Sequence, residues 1–293
     1  MIPNIILKEF IIILPEVLLI LLALLTQLAA ILFNGKAKII TTVTLILSII
    51  LVFITLQISC QEAVGFNNSF ATNYITGIYK ALTLIFTIMT IIIYNDYCKL
   101  TSYEFKHEFI TLILLSTLGT FIVISSRNFL LLFCGMELQA LTAYVLAGFS
   151  LNDIKSSESA LKYFILGALI SCLTLFGISF IYGFGGSLEF SNILQALNQS
   201  SHLNIGVVIG LVLFLSSIFF KLSSAPLHIW APDVYEGSPI ASVVYFATAQ
   251  KIGMVALLLN IMTLVVGEYK QISVDLVKII AILSMLIGAG GGN

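Results

Sequence analysis

The chain has 293 residues, among them thirteen Lys or Arg and fourteen Asp or Glu, so that charged residues make up 9% and hydrophobic ones 59%. A soluble protein carries about 25% charged residues, and a globule with so little polar side chain cannot cover its surface in water. A net charge of −1 leaves no basic footprint for phosphates. A soluble enzyme, a disordered chain and a nucleic-acid binder are excluded, and lipid remains as the main solvent.

A helix needs about 20 apolar residues to cross roughly 30 Å of hydrocarbon. Nine stretches qualify, at about 11–33, 39–58, 75–95, 109–126, 128–149, 160–182, 204–222, 239–263 and 275–289. The fold class is therefore all-α, a polytopic transmembrane bundle. The first stretch follows Lys8 and Glu9; it is too long for a signal core, lacks a cleavage site, and reads as a retained helix. Glu16 follows Pro15, where an acid in a first helical turn suits the dipole. The second and fourth stretches carry no charge, and the third holds Lys80 near one end, within reach of the interface by snorkelling. The fifth carries Glu137 at mid-span, the sixth Lys162 just inside its start, and the eighth Lys251 at its middle. The ninth is short and runs into a glycine-rich tail ending at Asn293.

Residues 59–74 and 183–203 contain Gly, Asn and Ser but no Lys or Arg, and read as short extramembrane loops. With the N-terminus outside, the inner loops hold Lys36, Lys38, Lys99, Lys106 and Lys155, against Lys8, Arg127 and Lys270 outside. That distribution predicts an outward N-terminus. Cys60, Cys98, Cys134 and Cys172 stand far apart; no pair has metal-ligand or redox spacing, and they read as small hydrophobes.

A charge at the bilayer centre costs about 2.5–3.5 kcal/mol on insertion scales, so it persists where the group faces protein or water. Glu137, Lys162, Lys221 and Lys251 are candidates on that ground. Each also has a plain structural reading. Lys162 stands four residues after Glu158, a favourable helical ion pair that anchors a helix end. Glu137 and Lys251 could form a static buried pair.

A second signal is a broken helix. Three of the five prolines, Pro226, Pro232 and Pro239, fall within fourteen residues just after Lys221. Proline removes an amide donor and clashes with the preceding turn, and freed backbone groups at membrane depth need water or protein partners. The break therefore predicts a hydrated polar pocket between Lys221 and His228, with Ser223 and Ser224 able to bond freed backbone groups. The alternative is an ordinary span end followed by a re-entrant loop. Asp233 and Glu236 read as loop or helix-start residues. An imidazole passes protons near neutrality, which makes His228 a relay candidate; a core histidine bonded to backbone is equally open. His107 and His202 lie at span edges and receive no role.

Burial favours a neutral lysine and a nearby carboxylate favours the charged one, so a lysine held between them loads and releases a proton when a neighbour moves. A hundredfold swing in proton affinity handles about 2.7 kcal/mol. Moving one charge through 100 mV takes about 2.3 kcal/mol. The residues thus point to a proton or cation path with no redox centre of its own.

The stretch from Phe220 to Gly237, with Lys221, Pro226, His228, Trp230 and the run Pro232-Asp233-Val234-Tyr235-Glu236-Gly237, resembles the signature of the antiporter-like subunits of respiratory complex I, the NADH-quinone oxidoreductase. Its form is most similar to the N-type subunits. Met136-Glu137-Leu138, Glu158 with Lys162-Tyr163-Phe164, and Ala249-Gln250-Lys251-Ile252-Gly253 add to the likeness, which runs from about residue 10 to 285. The resemblance implies a fourteen-helix fold with two inverted five-helix repeats and a discontinuous seventh helix. It divides this chain into an N-terminal three-helix segment (1–108), a first proton-translocation repeat (109–263) and the start of a truncated second repeat (264–293). Glu137 matches the family's fifth-helix acid, Lys221 the seventh-helix lysine and Lys251 the eighth-helix lysine; His228 and Lys162 match the central polar axis.

The activity implied is proton translocation, as a translocase subunit driven by quinone reduction elsewhere in the complex. NADH, FMN, iron–sulfur clusters and quinone are expected in partner subunits, with no cofactor or metal held by this chain. Partners are other membrane subunits, neighbouring antiporter-like subunits and lipid; the expected location is the bacterial inner membrane, ahead of the mitochondrial one. A multisubunit sodium/proton antiporter, or an inactive truncated scaffold, is the alternative. The second repeat and its twelfth-helix lysine have no counterpart in the sequence, which leaves an autonomous path in question.

Overall fold

A computed structural model of the chain describes residues 2–32, 37–101, 105–150, 152–199, 204–265 and 270–290. The expectations for Lys36, His202 and Gly291–Asn293 lie outside the described residues. Twelve helices are described: α1 Ile2–Leu32, α2 Ala37–Ser59, α3 Tyr74–Thr101, α4 His107–Ser125, α5 Phe129–Ala147, α6 Ile154–Gly185, α7 Phe190–Gln199, α8 Ile205–Lys221, α9 Trp230–Gly237, α10 Ile240–Ala247, α11 Ala249–Leu264 and α12 Lys270–Gly290. Eight helical stretches are long and apolar enough to cross a membrane, α10 and α11 counting as one, and α8 is a shorter apolar helix. These match the nine expected spans, with the seventh interrupted after Lys221.

The two loops have more structure than their composition suggests. Residues 59–74 hold an antiparallel hairpin, β1 Ala63–Gly65 with β2 Phe70–Thr72, in register Val64 to Ala71. Phe66, Asn67 and Asn68 take left-handed backbone at its turn, which asparagine tolerates because its side chain bonds locally. The segment after α6 contains α7, whose Phe190 and Ile193 are buried. Phe190 packs edge-on to Phe129, with ring centroids 4.8 Å apart. Apolar residues at the loop's start bury a helix face over the end of the bundle, where a count of Gly, Asn and Ser saw only a connection.

Without a hydrophobic force between helices in lipid, packing relies on small residues that let backbones approach. A Cβ on Gly119 of α4 would lie 2.6 Å from the backbone nitrogen of Gln139 on α5. A Cβ on Gly177 of α6 would lie 2.8 Å from the carbonyl oxygen of Gly210 on α8, and one on Gly210 equally close to that of Gly177. These crossings press α4 against α5 and α6 against α8, and so help to position the helices that carry Glu137, Ser171 and Lys221. Among the spans α4 is the most enclosed and α12 the least.

Candidate functional site

Helix α8 ends at Lys221 in a defined stop. Ser224 N donates to Phe219 O at 3.0 Å and Ser223 N to Phe220 O at 2.9 Å, the paired bonds of a Schellman cap. Ser223 takes the left-handed conformation, φ 56°, where glycine is usual. Trp230 Nε1 also donates to Phe220 O, at 2.9 Å, and Ala225 N donates to Ser284 Oγ of α12 at 3.0 Å. The freed backbone groups are thus met by backbone amides, an indole and α12. The expected role of the Ser223 hydroxyl is not observed: its Oγ is buried without a hydrogen-bond partner. The Ala225–Pro226 bond is cis. Pro232 falls in the first turn of α9, where its missing N–H is not needed, and Pro239 caps α10.

Lys221 points from this stop toward α5. Its side chain is half-buried, and Nζ donates to the carbonyl of Met136 at 3.2 Å, one residue before Glu137. Glu137 Oε1 accepts from Ser171 Oγ of α6 at 2.5 Å. Lys251, on α11, holds its ammonium 5.7 Å from the ring centroid of Tyr235 on α9, a cation–π contact. Glu137 and Lys251 do not form the static pair that one reading allowed; each meets a different partner. Thr248, one turn before Lys251, interrupts the helix between α10 and α11 with φ −119° and ψ −81°, and its Oγ1 donates to Val244 O at 2.6 Å.

His228 lies half-buried between α8 and α9. Its Nδ1 is enclosed with no hydrogen-bond partner, as is the hydroxyl of Tyr235. With Ser223 Oγ, three enclosed polar atoms of the broken segment therefore lack a protein partner. Buried polar groups of this kind are met by ordered water.

Lys162 does not join this row. It is exposed and forms a charged cluster at the flank of α6 and α9, donating to Asp233 Oδ2 at 2.6 Å and pairing with Glu158 Oε1 at 2.8 Å. The helical pair with Glu158 is present; Asp233 falls in the first turn of α9, a helix-start position, and is also a partner of Lys162, while Glu236 accepts from Lys155 at 3.0 Å.

Glu16 stands in the middle of α1, not in a first turn, and Lys80 does not snorkel. The two form an ion pair of 2.5 Å with 3% and 1% of their side chains exposed. Helix α1 begins at Ile2, so Pro15 sits inside it and marks no helix start.

Several site residues escaped the sequence reading. Ser171 and Tyr235 are two. A third group is a buried hydroxyl and amide cluster: Gln139 Nε2 donates to Thr120 Oγ1 at 3.0 Å, Gln250 Nε2 to Ser116 Oγ at 3.4 Å, and the hydroxyls of Thr117 and Tyr245 meet at 3.2 Å. The signal was available in Ser116, Thr117 and Thr120, three polar residues within two turns at the middle of an apolar span.

Residues 126–293 match the family model described as NADH:quinone oxidoreductase/Mrp antiporter, TM. The chain is 62% identical over 281 residues to the NADH-quinone oxidoreductase subunit N of Rickettsia felis, covering 96% of this chain and 61% of the relative. It is 40% identical to that of Beijerinckia indica over 78% of this chain and 47% of the relative. The chain thus spans about three fifths of the length of the nearest of these curated relatives. Among solved structures, a chain of respiratory complex I from Thermus thermophilus with bound aureothin superposes with a TM-score of 0.71 at 26% identity, over 85% of this chain and 53% of that one. A chain of the archaeal membrane-bound sulfane sulfur reductase shares the fold, with a TM-score of 0.65 at 24% identity over 88% of this chain and 53% of that one.

Proposed function

Since the chain belongs to the NADH:quinone oxidoreductase/Mrp antiporter transmembrane family, we propose that it serves as a proton-translocating membrane subunit of an NADH:quinone oxidoreductase. Its relatives' names favour this over a sodium/proton antiporter. The reading places it in the bacterial inner membrane, beside other membrane subunits, with NADH, FMN, iron–sulfur clusters and quinone in partner subunits. Residues 1–108 form an N-terminal segment, 109–263 the proton-translocating repeat and 264–293 the start of a second.

The observation that carries the proposal is the aim of Lys221. A lysine at the end of a broken membrane helix is turned onto the carbonyl beside a half-buried glutamate. A lysine beside a carboxylate exchanges its proton as the charge on that neighbour changes, and Lys221 is held one residue from Glu137. Ser171 holds the Glu137 carboxyl in place. His228 and Tyr235 stand on the broken segment, and the Tyr235 ring faces Lys251. Protons pass between Glu137 and Lys221, across the broken segment by His228 and its water partners, and on to Lys251. Lys162 holds α6 to α9 at the edge of this path through Asp233.

The test uses the full-length protein in its assembled complex in membrane vesicles. Lys221→Ala and Lys251→Ala should each lower protons pumped per NADH oxidised toward zero while the subunit still inserts. Normal pumping by both variants overturns the proposal.

A further inference from the structure

The ion pair of Glu16 and Lys80 lies in the N-terminal helices, before the segment that the family model matches, and the path above does not use it. A buried ion pair is stable when the remaining lone pairs and protons are satisfied; otherwise desolvation outweighs the attraction. Here they are not. Lys80 Nζ donates only to Glu16 Oε1 among the described residues, between the rings of Phe70 and Phe121 at 5.3 and 5.4 Å. Glu16 Oε2 is buried with no partner. As a static strut this is a poor design, and an intramembrane ionisable group is retained for function by default.

The pair also has a polar neighbourhood that reaches the span carrying Lys251. Thr76, Lys80, Thr83, Thr87 and Thr90 make a buried stripe along α3. At its middle Thr87 Oγ1 meets Thr117 Oγ1 at 3.0 Å, and Thr117 meets the hydroxyl of Tyr245 at 3.2 Å. Tyr245 lies on α10, in the same interrupted span as Lys251. No ionised group other than its partner is bonded to Glu16 or Lys80 among the described residues.

We propose that Glu16 and Lys80 form a proton toggle coupled to Lys251. One proton moves inside the pair: the Nζ–H bond of Lys80 breaks and an O–H bond forms on Glu16, turning the ion pair into a neutral amine and carboxylic acid with no proton gained or lost. With Glu16 Oε2 left without a partner, the orientation of the Thr87, Thr117 and Tyr245 hydroxyls sets which of the two forms is held, and Tyr245 carries that orientation into the span of Lys251. The inference rests on the function proposed above and extends it to the N-terminal helices.

The experiment uses the assembled complex with the full-length chain. In infrared difference spectra between resting and NADH-driven states, wild type should show a protonated-carboxyl band that Glu16→Gln removes. The double variant Glu16→Leu with Lys80→Met replaces the pair by apolar groups, which a structural pair tolerates or prefers. Here it should assemble yet lower protons pumped per NADH by about twofold or more, the lower end of the coupling that residues outside a site exert. Pumping equal to wild type in the double variant overturns the toggle. Should that variant not assemble, the infrared arm decides, and a spectrum unchanged by Glu16→Gln overturns it. Failure of the parent reading is distinguishable, because Lys251→Ala would then pump normally.

Discussion

Ser171 illustrates how one hydroxyl positions a half-buried acid. It is a hydrogen-bond donor to Glu137 among the described residues, and a hydrogen bond to a charged group contributes about 1.5–3 kcal/mol. Ser171→Ala should therefore free the Glu137 carboxyl from its position and slow pumping, with NADH oxidation retained, while Ser171→Thr keeps both. A fluorescent probe of the pH gradient, read beside NADH absorbance, checks this; an alanine variant that pumps as wild type would show that Glu137 needs no local donor. Glu137, Lys221 and Lys251 were legible in the sequence because a charge among leucines is conspicuous. Ser171 was not, since a serine in a membrane helix bonds its own backbone as readily as a neighbour. Glu16 and Lys80 were visible as residues but not as a pair. They are 64 positions apart, and nothing in periodicity says that α1 and α3 meet there.

At the scale of the element, the stop of α8 and the close crossings decide where the site lies. Ser223 occupies a left-handed position, which costs an ordinary residue roughly 1–2 kcal/mol. Ser223→Gly should leave thermal stability unchanged or raise it by about 1 kcal/mol, and Ser223→Val should lower it, as read from melting of the purified complex. Gly177→Leu would drive a side chain into the Gly210 carbonyl and should abolish assembly, since close helix crossings need small residues. Gly183→Ala on the same helix meets nothing within 4 Å and serves as the control; immunodetection of assembled complex reads both. The break itself was legible from three clustered prolines, and the prolines sit where their chemistry fits: one inside the break, one in a first turn, one at a cap. The manner of capping was not, because it depends on Trp230 and on backbone amides. The hairpin and α7 were also missed: their burial comes from the helix ends beneath them, which local composition does not record.

For the whole molecule, the candidate charges fall in three settings: a buried ion pair in the N-terminal helices, a half-buried row at the broken helix, and an exposed cluster about Lys162; pairs such as Lys99 with Asp96 and Lys278 with Asp275 are exposed on their own helices. The count of spans and the all-α class followed from apolar length alone. The partition of charges among these settings did not, since it is fixed by which helix faces cross. The central claim is that the broken segment is a wet link between Lys221 and Lys251. The direct measurement is a cryo-EM map of the assembled complex with the full-length chain, at a resolution that shows ordered water. The account predicts waters hydrogen-bonded to His228 Nδ1, Tyr235 OH and Ser223 Oγ, forming a chain from Lys221 to Lys251. A dry, apolar seam there, with those three atoms satisfied by protein groups and the lysines turned to lipid, would contradict it.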